Sequence, residues 1–204
     1  MRSLALLLLL ALGACQPPAR AAPVALQVLP EAGARPLLRS LEMAATSIDL
    51  EVYLLSHPQV IAALRSARAR GVRTRVLLEE YPFGGQDNAA AFAELQRAGV
   101  EARWTGPAFR LTHAKTLVVD RNRAWVMTAN LTRAAFQSNR EYLASVSEPG
   151  QVAELVALFE ADWGRTAREP AADGLVVSPG NARARIEELI AGATRTLDLE
   201  AEEL

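Results

Sequence analysis

One stretch of the sequence, residues 112–142, gathers most of the side chains that could carry out a reaction. His113 and Lys115 are two positions apart, so on a strand their side chains point to the same face. A histidine in this arrangement can attack phosphorus while the neighbouring ammonium group holds the non-bridging oxygens. The pair therefore predicts a nucleophilic histidine that acts on a phosphate ester.

Three further residues of this stretch fit the same chemistry. Thr128 and Asn130 share one face of a neighbouring strand, and they add neutral hydrogen-bond donors for phosphate oxygens. Glu141 can accept a hydrogen bond from the far ring nitrogen of His113, which would fix the tautomer and keep the other nitrogen nucleophilic. Such a reaction needs no metal or other cofactor, and the sequence shows no metal-ligand spacing.

This spacing resembles the HKD motif of the phospholipase D superfamily: His-x-Lys, four residues, Asp, six residues, and then Gly-Ser-x-Asn. The first part of the motif is matched in full by His113, Lys115 and Asp120. In the second part Met127 stands where the family has Gly, and Thr128 keeps the hydroxyl group of the usual Ser. The substitution at Met127 concerns the loop that holds phosphate and leaves the nucleophile unchanged.

The resemblance covers most of residues 34 to 165, and it carries expectations about fold and mechanism. It implies an α/β fold, specifically a phospholipase D-like layered α/β/α domain with a mixed central sheet. It also implies that one histidine attacks the phosphodiester to form a phosphohistidine, and that a second histidine from a second motif protonates the leaving alcohol. By the same resemblance the catalytic residues are His113, Lys115 and Glu141, the phosphate-binding residues are Lys115, Thr128 and Asn130, and Asp120 is structural.

The elements that position these residues follow from hydrophobic periodicity. The first half predicts strands over 47–55, 72–79 and 100–104, with helices between them that begin at Pro58 and near Asn88, and an earlier helix around Leu37 to Leu41. The second half predicts a hairpin of strands 116–120 and 123–128, a strand over 141–146 and a helix over 152–163. This order predicts an α/β sheet with right-handed crossovers. We expect His57 to be a surface residue at a strand end, and the carboxylates of Asp49, Glu51 and Glu79 to be solvated or hydrogen-bonded.

Composition excludes several classes of protein. Of the 204 residues, 50% are hydrophobic, which excludes a mostly disordered chain. The formal net charge of −1 provides no global attraction to nucleic acid or to an anionic membrane, so nucleic acid is the less favoured substrate. A single cysteine excludes a disulfide framework and a cysteine-based metal cluster.

The N-terminus predicts export and lipid attachment. Arg2 is followed by an apolar run from Leu4 to Ala14, which at 11 residues is shorter than the roughly 20 that a spanning helix needs. Residues 1–15 are therefore interpreted as a signal peptide that ends in a lipobox at Cys15, and the proline-rich residues 16–23 as a tether. We expect a protein that is secreted across the inner membrane and anchored by lipid in the bacterial envelope, facing the periplasm.

The C-terminal residues repeat the start of the domain. Aligned at an offset of 149 residues, Asp49-Leu50-Glu51 meets Asp198-Leu199-Glu200, and Pro30 meets Pro179. We interpret 24–168 as one HKD domain and 174–204 as the beginning of a second, truncated repeat. Because the chain carries one motif, either a homodimer or a missing second half must complete the active site, and a monomer should be inactive.

Several functions remain open at this level. The favoured one is a metal-independent phosphodiesterase that hydrolyses or transfers the head group of phospholipids, because a lipid tether places the site beside lipid. The alternatives are a phosphatidyltransferase of the cardiolipin-synthase type, a nuclease of the same superfamily, and an envelope module without catalytic activity.

Overall fold

The computed structural model describes residues 24–85, 87–171 and 174–201. Its strands are β1 Val24–Leu29, β2 Ser47–Val52, β3 Arg73–Leu78, β4 Glu101–Trp104, β5 Lys115–Val119, β6 Arg123–Met127 and β7 Glu141–Val146. Its helices are α1 Arg35–Met43, α2 Pro58–Ala69, α3 Ala89–Arg97, α4 Arg133–Gln137, α5 Pro149–Gly164 and α6 Ala182–Ala191. The strands form one sheet in the order β1-β7-β6-β5-β2-β3-β4.

The sheet is mixed, as the resemblance to the phospholipase D superfamily implies. β2, β3 and β4 run parallel and are joined by α2 and α3, whereas β5, β6, β7 and β1 pair antiparallel. Parallel strands need a crossover connection, which α2 and α3 supply, while the antiparallel strands β5 and β6 need only a tight turn. The predicted α/β fold is therefore confirmed.

Helices cover both faces of the sheet because the side chains of each strand point alternately to the two faces, and apolar residues lie on both. On one face, Leu50 of β2 and Leu117 of β5 lie in the main core, to which α1, α2 and α3 contribute residues such as Leu37, Leu64 and Leu95. On the other face, α5 packs a second core, formed by Val118, Ala124, Val146, Val152, Leu155 and Val156. Burial of these two apolar surfaces holds the layers together.

The face under α5 also buries charge. The Arg75 guanidinium, almost fully buried, lies 2.6 Å from Asp49 Oδ1 and donates two hydrogen bonds of 2.9 Å to the Glu160 carboxylate. Glu51 is buried on the same strand as Asp49, and burial together with the nearby Asp162 carboxyl of α5 raises its pKa. Asp49 is therefore held by a buried guanidinium rather than by solvent, and Glu51 is shielded from solvent on the same face.

His57 is not the surface residue that the sequence suggests. Its side chain is 5% exposed, its backbone N–H donates to the carbonyl of Leu131 at 2.8 Å, and its ring packs edge-on to Phe136. The prediction is wrong because a bridge between Leu55 and Leu131, 76 residues apart in the chain, covers this position. Burial and, second, the charge of Arg133 lower the pKa of His57.

Residues 174–201 form one helix, α6, with irregular segments on both sides. No residue of α6 is buried, and in these residues the strands expected near Val177 and Leu199 do not pair with the sheet. The local turn at Val177 nevertheless repeats that at Val28, since Asn181 N–H donates to the Val177 carbonyl as Ala32 N–H donates to the Val28 carbonyl, both at 3.0 Å. The second repeat stays a prediction.

The predicted signal peptide, the lipidation at Cys15 and the tether lie outside the described residues. Within the described ranges, no helix combines the length and the hydropathy needed to cross a bilayer.

Candidate active site

The predicted site residues, apart from Asp120, lie at one edge of the sheet. The register sets Thr116 of β5 opposite Val126 of β6, and Met127 of β6 opposite Leu143 of β7. Because these strands are antiparallel, the start of β5, the end of β6 and the start of β7 meet at the same edge. Three segments are thereby brought together: 113–115, 128–130 and the beginning of β7 at residue 141.

His113 and Lys115 form the first part of the site. His113 is exposed immediately before β5, whereas Lys115 is only 6% exposed. The ammonium of Lys115 donates to the backbone carbonyl of His113 at 2.9 Å. The cation is thus fixed beside the segment that carries the imidazole. Lys115 is also the only lysine of the chain, although the sequence holds 22 basic residues.

Tyr53 is a site residue that the motif does not reveal. Its ring packs edge-on to the ring of His113, with centroids 4.5 Å apart and planes at 69°, and its centroid lies 5.4 Å from the Lys115 ammonium. Its backbone N–H donates to the carbonyl of Ala114 at 3.1 Å. Tyr53 lies two positions after Glu51 and four after Asp49, so it continues the same face of the strand just beyond the end of β2. This spacing is the signal in the sequence that points to Tyr53. Its ring restricts the imidazole and offers a π-face to the cation.

Glu79 fastens the backbone that precedes His113. This buried carboxylate accepts hydrogen bonds from Thr112 N–H at 2.8 Å, Thr105 hydroxyl at 3.1 Å and Tyr81 N–H at 3.2 Å. Thr112 is the residue immediately before His113. Glu79 therefore ties the end of β3 to the two loops that frame the site, a role that spacing alone could not indicate.

Thr128 and Glu141 are in direct contact. The hydroxyl of Thr128 donates to the Glu141 carboxylate and accepts from the N–H of Tyr142 at 2.9 Å. The N–H of Thr128 in turn donates to the Tyr142 carbonyl at 2.9 Å. This arrangement fixes Glu141 at the site edge. Its predicted hydrogen bond to His113 stays a prediction.

Asn130 carries an unsatisfied polar atom. Its Oδ1 is buried and, among the described residues, has no hydrogen-bond partner. Buried polar atoms are normally paired, so this acceptor atom is an exception, and only the amide N–H groups of Asn130 can donate to a phosphate oxygen. Met127 has the opposite character, since its side chain is buried in the main core. The Met at this motif position is thus accommodated by packing.

Asp120 lies at the far end of β5, seven residues after His113 and thus at most about 23 Å away at about 3.3 Å per residue. Its carboxylate accepts from the backbone N–H groups of Ala45, Thr46 and Ser47 and from the Thr46 hydroxyl. Burial acts to raise the pKa of Asp120, but these hydrogen bonds outweigh it and hold the pKa below the usual range. The geometry gives Asp120 an anchoring function at the opposite edge of the sheet.

In the ranges 24–85, 87–171 and 174–201, no three His, Cys, Asp or Glu side chains are grouped so as to hold a metal ion.

The sequence matches a known protein family over the part of the chain that contains this site. The family model described as cardiolipin synthase, PLD-like domain, matches residues 37–163, which include the core, His113 and Glu141. The chain belongs to the phospholipase D superfamily. The phospholipase D-like match ends within α5, so α6 lies outside it.

This phospholipase D-like domain is also similar to individual proteins whose names refer to cardiolipin. It is 36% identical over 114 residues to cardiolipin synthase A of Pseudomonas aeruginosa, covering 54% of this chain and 23% of that protein. It is 31% identical over 129 residues to the mitochondrial cardiolipin hydrolase of Homo sapiens, covering 62% of this chain and 49% of the relative. The chain therefore spans at most about half the length of these relatives.

A solved structure shares the fold. Nuc from Salmonella typhimurium, a phospholipase D family member, superposes with a TM-score of 0.64 at 25% sequence identity, covering 72% of this chain and 98% of Nuc. The phospholipase D-like layers described above are thus those of an experimentally known domain.

Proposed function

We propose that this phospholipase D-like domain is a metal-independent phosphodiesterase that hydrolyses or transfers the head group of phospholipids through a phosphohistidine at His113. The observation that carries the proposal is the exposed His113 imidazole at the sheet edge, with the ammonium of Lys115 held at its backbone and the Thr128–Glu141 pair at the same edge. A nucleophile, a fixed cation and neutral donors are the parts that phosphoryl transfer requires.

In the proposed first step, a ring nitrogen of His113 attacks the phosphorus of the phosphodiester. A P–N bond forms, the P–O bond to the head-group alcohol breaks, and a second histidine gives its proton to the departing alkoxide. Lys115 and Asn130 hold the non-bridging oxygens, whose charge grows at the transition state, and Thr128 joins them when its hydroxyl turns from Glu141 to the phosphate. Glu141 keeps the imidazole in the nucleophilic tautomer.

In the proposed second step, a hydroxyl group restores the histidine. Water or an acceptor alcohol loses its proton to the second histidine and attacks phosphorus, and the P–N bond breaks. The second histidine comes from another HKD motif, because the other histidine of this sequence, His57, is buried against Phe136. Another copy of His113 can supply it.

Phospholipid is the proposed substrate for three reasons. The relatives named above are a cardiolipin synthase and a cardiolipin hydrolase, both of which act on a phospholipid. The predicted lipid at Cys15 would hold the domain at a membrane surface. The net charge of −1 gives no general attraction for a polyanion.

Transfer is the second candidate function, favoured by one specific observation. The matching family model is that of cardiolipin synthase, and the relative at 36% identity is a cardiolipin synthase. In a transferase the same phosphohistidine would be attacked by the hydroxyl of a second phosphatidylglycerol rather than by water.

Vesicles of phosphatidylglycerol distinguish these outcomes. Hydrolysis releases glycerol and phosphatidate, whereas transfer releases glycerol and cardiolipin, so lipid analysis separates them. His113→Ala should abolish both products, and His57→Gln should retain activity per folded molecule. The protein-bound phosphate is trapped by alkaline quenching, because a phosphohistidine is labile in acid, and it should be missing from His113→Ala. Turnover by His113→Ala would contradict the mechanism, and cleavage of DNA without turnover of lipid would contradict the substrate.

A further inference from the structure

Two loops beside His113 carry large apolar side chains that are exposed to solvent in large part. The loop after β3 exposes 78% of Tyr81 and 90% of Phe83. The loop after β4 exposes 44% of Phe109 and 42% of Leu111. Single exposed apolar residues are ordinary, but four around one polar site form a group that needs an explanation.

Both loops leave the sheet at the edge that holds the site. β3 and β4 are parallel neighbours, with Leu78 opposite Trp104, so the segments after them emerge on the same side. The Glu79 carboxylate then binds both loops, through Tyr81 N–H and Thr112 N–H. The apolar residues therefore flank the entrance to His113.

The first loop is also linked to the site itself. The N–H of Phe83 donates to the hydroxyl of Tyr53, whose ring packs against His113. A displacement of this loop is therefore transmitted to His113 through the Phe83–Tyr53 hydrogen bond and the Tyr53–His113 ring contact. The hydrogen bond uses the backbone of Phe83, which leaves its side chain pointing to solvent for contact with a partner.

The size and chemistry of the group favour a lipid surface. By the areas typical of such side chains, the four expose on the order of 500 Å², less than the roughly 800 Å² per partner of a stable protein interface. The charges nearby are mixed: Arg110 is exposed between Phe109 and Leu111, while Glu80 and Asp87 are exposed in the first loop. Aromatic side chains with few surrounding charges suit the boundary between head groups and acyl chains.

We propose that Tyr81, Phe83, Phe109 and Leu111 form an apolar rim that inserts into the surface of a phospholipid bilayer and seats the edge bearing His113 against it. The inference rests on the proposed phospholipid substrate. The rim adds a second point of contact with the membrane at the active site, distinct from any lipid at the N-terminus. It brings phosphodiester head groups level with His113 while the acyl chains remain in the bilayer.

A single fluorescent label locates the insertion. In the full chain, Cys15→Ser removes the only native cysteine, and His113→Ala prevents turnover of the lipid. Phe83→Cys or Gln96→Cys then carries an NBD label, whose emission shifts to the blue and brightens in an apolar surrounding. Gln96 is the matched control, since it is exposed near the end of α3 at the opposite edge of the sheet.

With vesicles of phosphatidylethanolamine and phosphatidylglycerol, the label at position 83 should brighten about threefold or more, as expected for transfer into lipid, while the label at 96 stays unchanged. Equal responses at both positions, or none at 83, would overturn the rim. A response at 83 to protein concentration alone, without vesicles, would show that a second copy covers the rim and would also overturn it.

Turnover of vesicle phospholipid and of a soluble substrate tests the rim separately from the proposed function. The Phe83→Ser, Phe109→Ser double variant should lose about tenfold or more of its turnover of vesicle phospholipid and stay within about twofold of wild type on soluble bis-p-nitrophenyl phosphate. Equal vesicle turnover by both proteins would refute the rim and leave the proposed function intact. Insertion of the label at 83 with no phospholipid turnover by wild type would refute the proposed function and leave the rim intact.

Discussion

At the scale of single residues, Lys115 shows how the fold prepares a cation for a phosphate ester. The side chain is buried to 6% exposure, which is costly for a charged group unless its N–H donors are satisfied. The carbonyl of His113 satisfies one donor at 2.9 Å. An ammonium has three N–H donors and no acceptor, so a phosphate oxygen is a suitable partner for it. The chain otherwise uses arginine for every basic position.

Replacement of Lys115 by Met should therefore remove charge and keep most of the packing. We expect kcat on bis-p-nitrophenyl phosphate to fall about 100-fold or more, as for the loss of one preorganised donor at a developing charge. Lys115→Arg should recover little, because a planar guanidinium does not fit the space of an ammonium. Arg97→Met on the exposed end of α3 is the control, and equal activity of the two Met variants would contradict the assignment.

Tyr53 is expected to act as a positioning residue. Tyr53→Leu removes the ring that packs on His113, and kcat should fall about tenfold with little change in KM, because the nucleophile loses its orientation. Tyr53→Phe keeps that ring and loses only the acceptor for Phe83 N–H, so its kcat on a soluble substrate should stay close to wild type. NMR of the imidazole nitrogens should show His113 perturbed in Tyr53→Leu and unchanged in Tyr53→Phe. An unperturbed His113 in Tyr53→Leu would argue for a purely structural role.

At the scale of elements, Asp120 joins the β5–β6 turn to the segment between α1 and β2. Its carboxylate accepts four or more hydrogen bonds from Ala45, Thr46 and Ser47. Asp120→Ala should reduce the free energy of unfolding by about 2 kcal/mol, since several backbone N–H groups together lose a charged acceptor. Activity per folded molecule should persist, because the turn lies at the edge opposite His113. Loss of kcat with unchanged unfolding would place Asp120 in the catalytic machinery instead.

The buried carboxyl of Glu51, next to the half-buried Asp162 of α5, predicts a pH dependence of stability. Burial, together with the nearby Asp162 carboxyl, raises the pKa of Glu51 to about 8. Between its ordinary value of 4.5 and about 8 the folded state holds a proton that the unfolded state releases, so the free energy of unfolding falls as pH rises through this window. Glu160 adds nothing there, since Arg75 lowers its pKa to about 2.

Glu51→Gln should remove this fall, which is on the order of a few kcal/mol. Urea unfolding of both proteins at several pH values between 5 and 8 measures it. His57, whose pKa is lowered, acts in the opposite direction, so the difference between the two proteins is the informative quantity. Identical pH profiles would contradict the assignment of a proton to Glu51.

The elements themselves were largely predictable, since each depends on neighbours in sequence. Alternation predicts a strand over 72–79 where β3 spans Arg73–Leu78, and the strand over 141–146 coincides with β7. The contacts that complete the site join distant parts of the chain, such as Tyr53 with His113 and Glu79 with Thr112. Local periodicity contains no information about such pairs, and for the same reason the sequence does not predict the burial of His57 against Phe136.

At the scale of the whole molecule, the proposed chemistry requires two histidines at one phosphorus. The other histidine of these 204 residues is His57, whose ring is buried against Phe136 at the start of α2. A site that completes itself from this sequence must therefore combine His113 of two copies. Specific activity should then rise with protein concentration in parallel with the dimer fraction measured by analytical ultracentrifugation.

Mixed dimers provide a sharper test of the same requirement. When equal amounts of wild type and His113→Ala exchange subunits fully, about one quarter of the dimers contain two intact copies. If each reaction needs both histidines, the activity should be about a quarter of that of the same total of wild type, whereas independent sites would retain about half. A value near one half, or specific activity that does not depend on concentration, would contradict the shared site. A value near one quarter would mean that nucleophile and proton donor are the same residue, His113, contributed once by each copy.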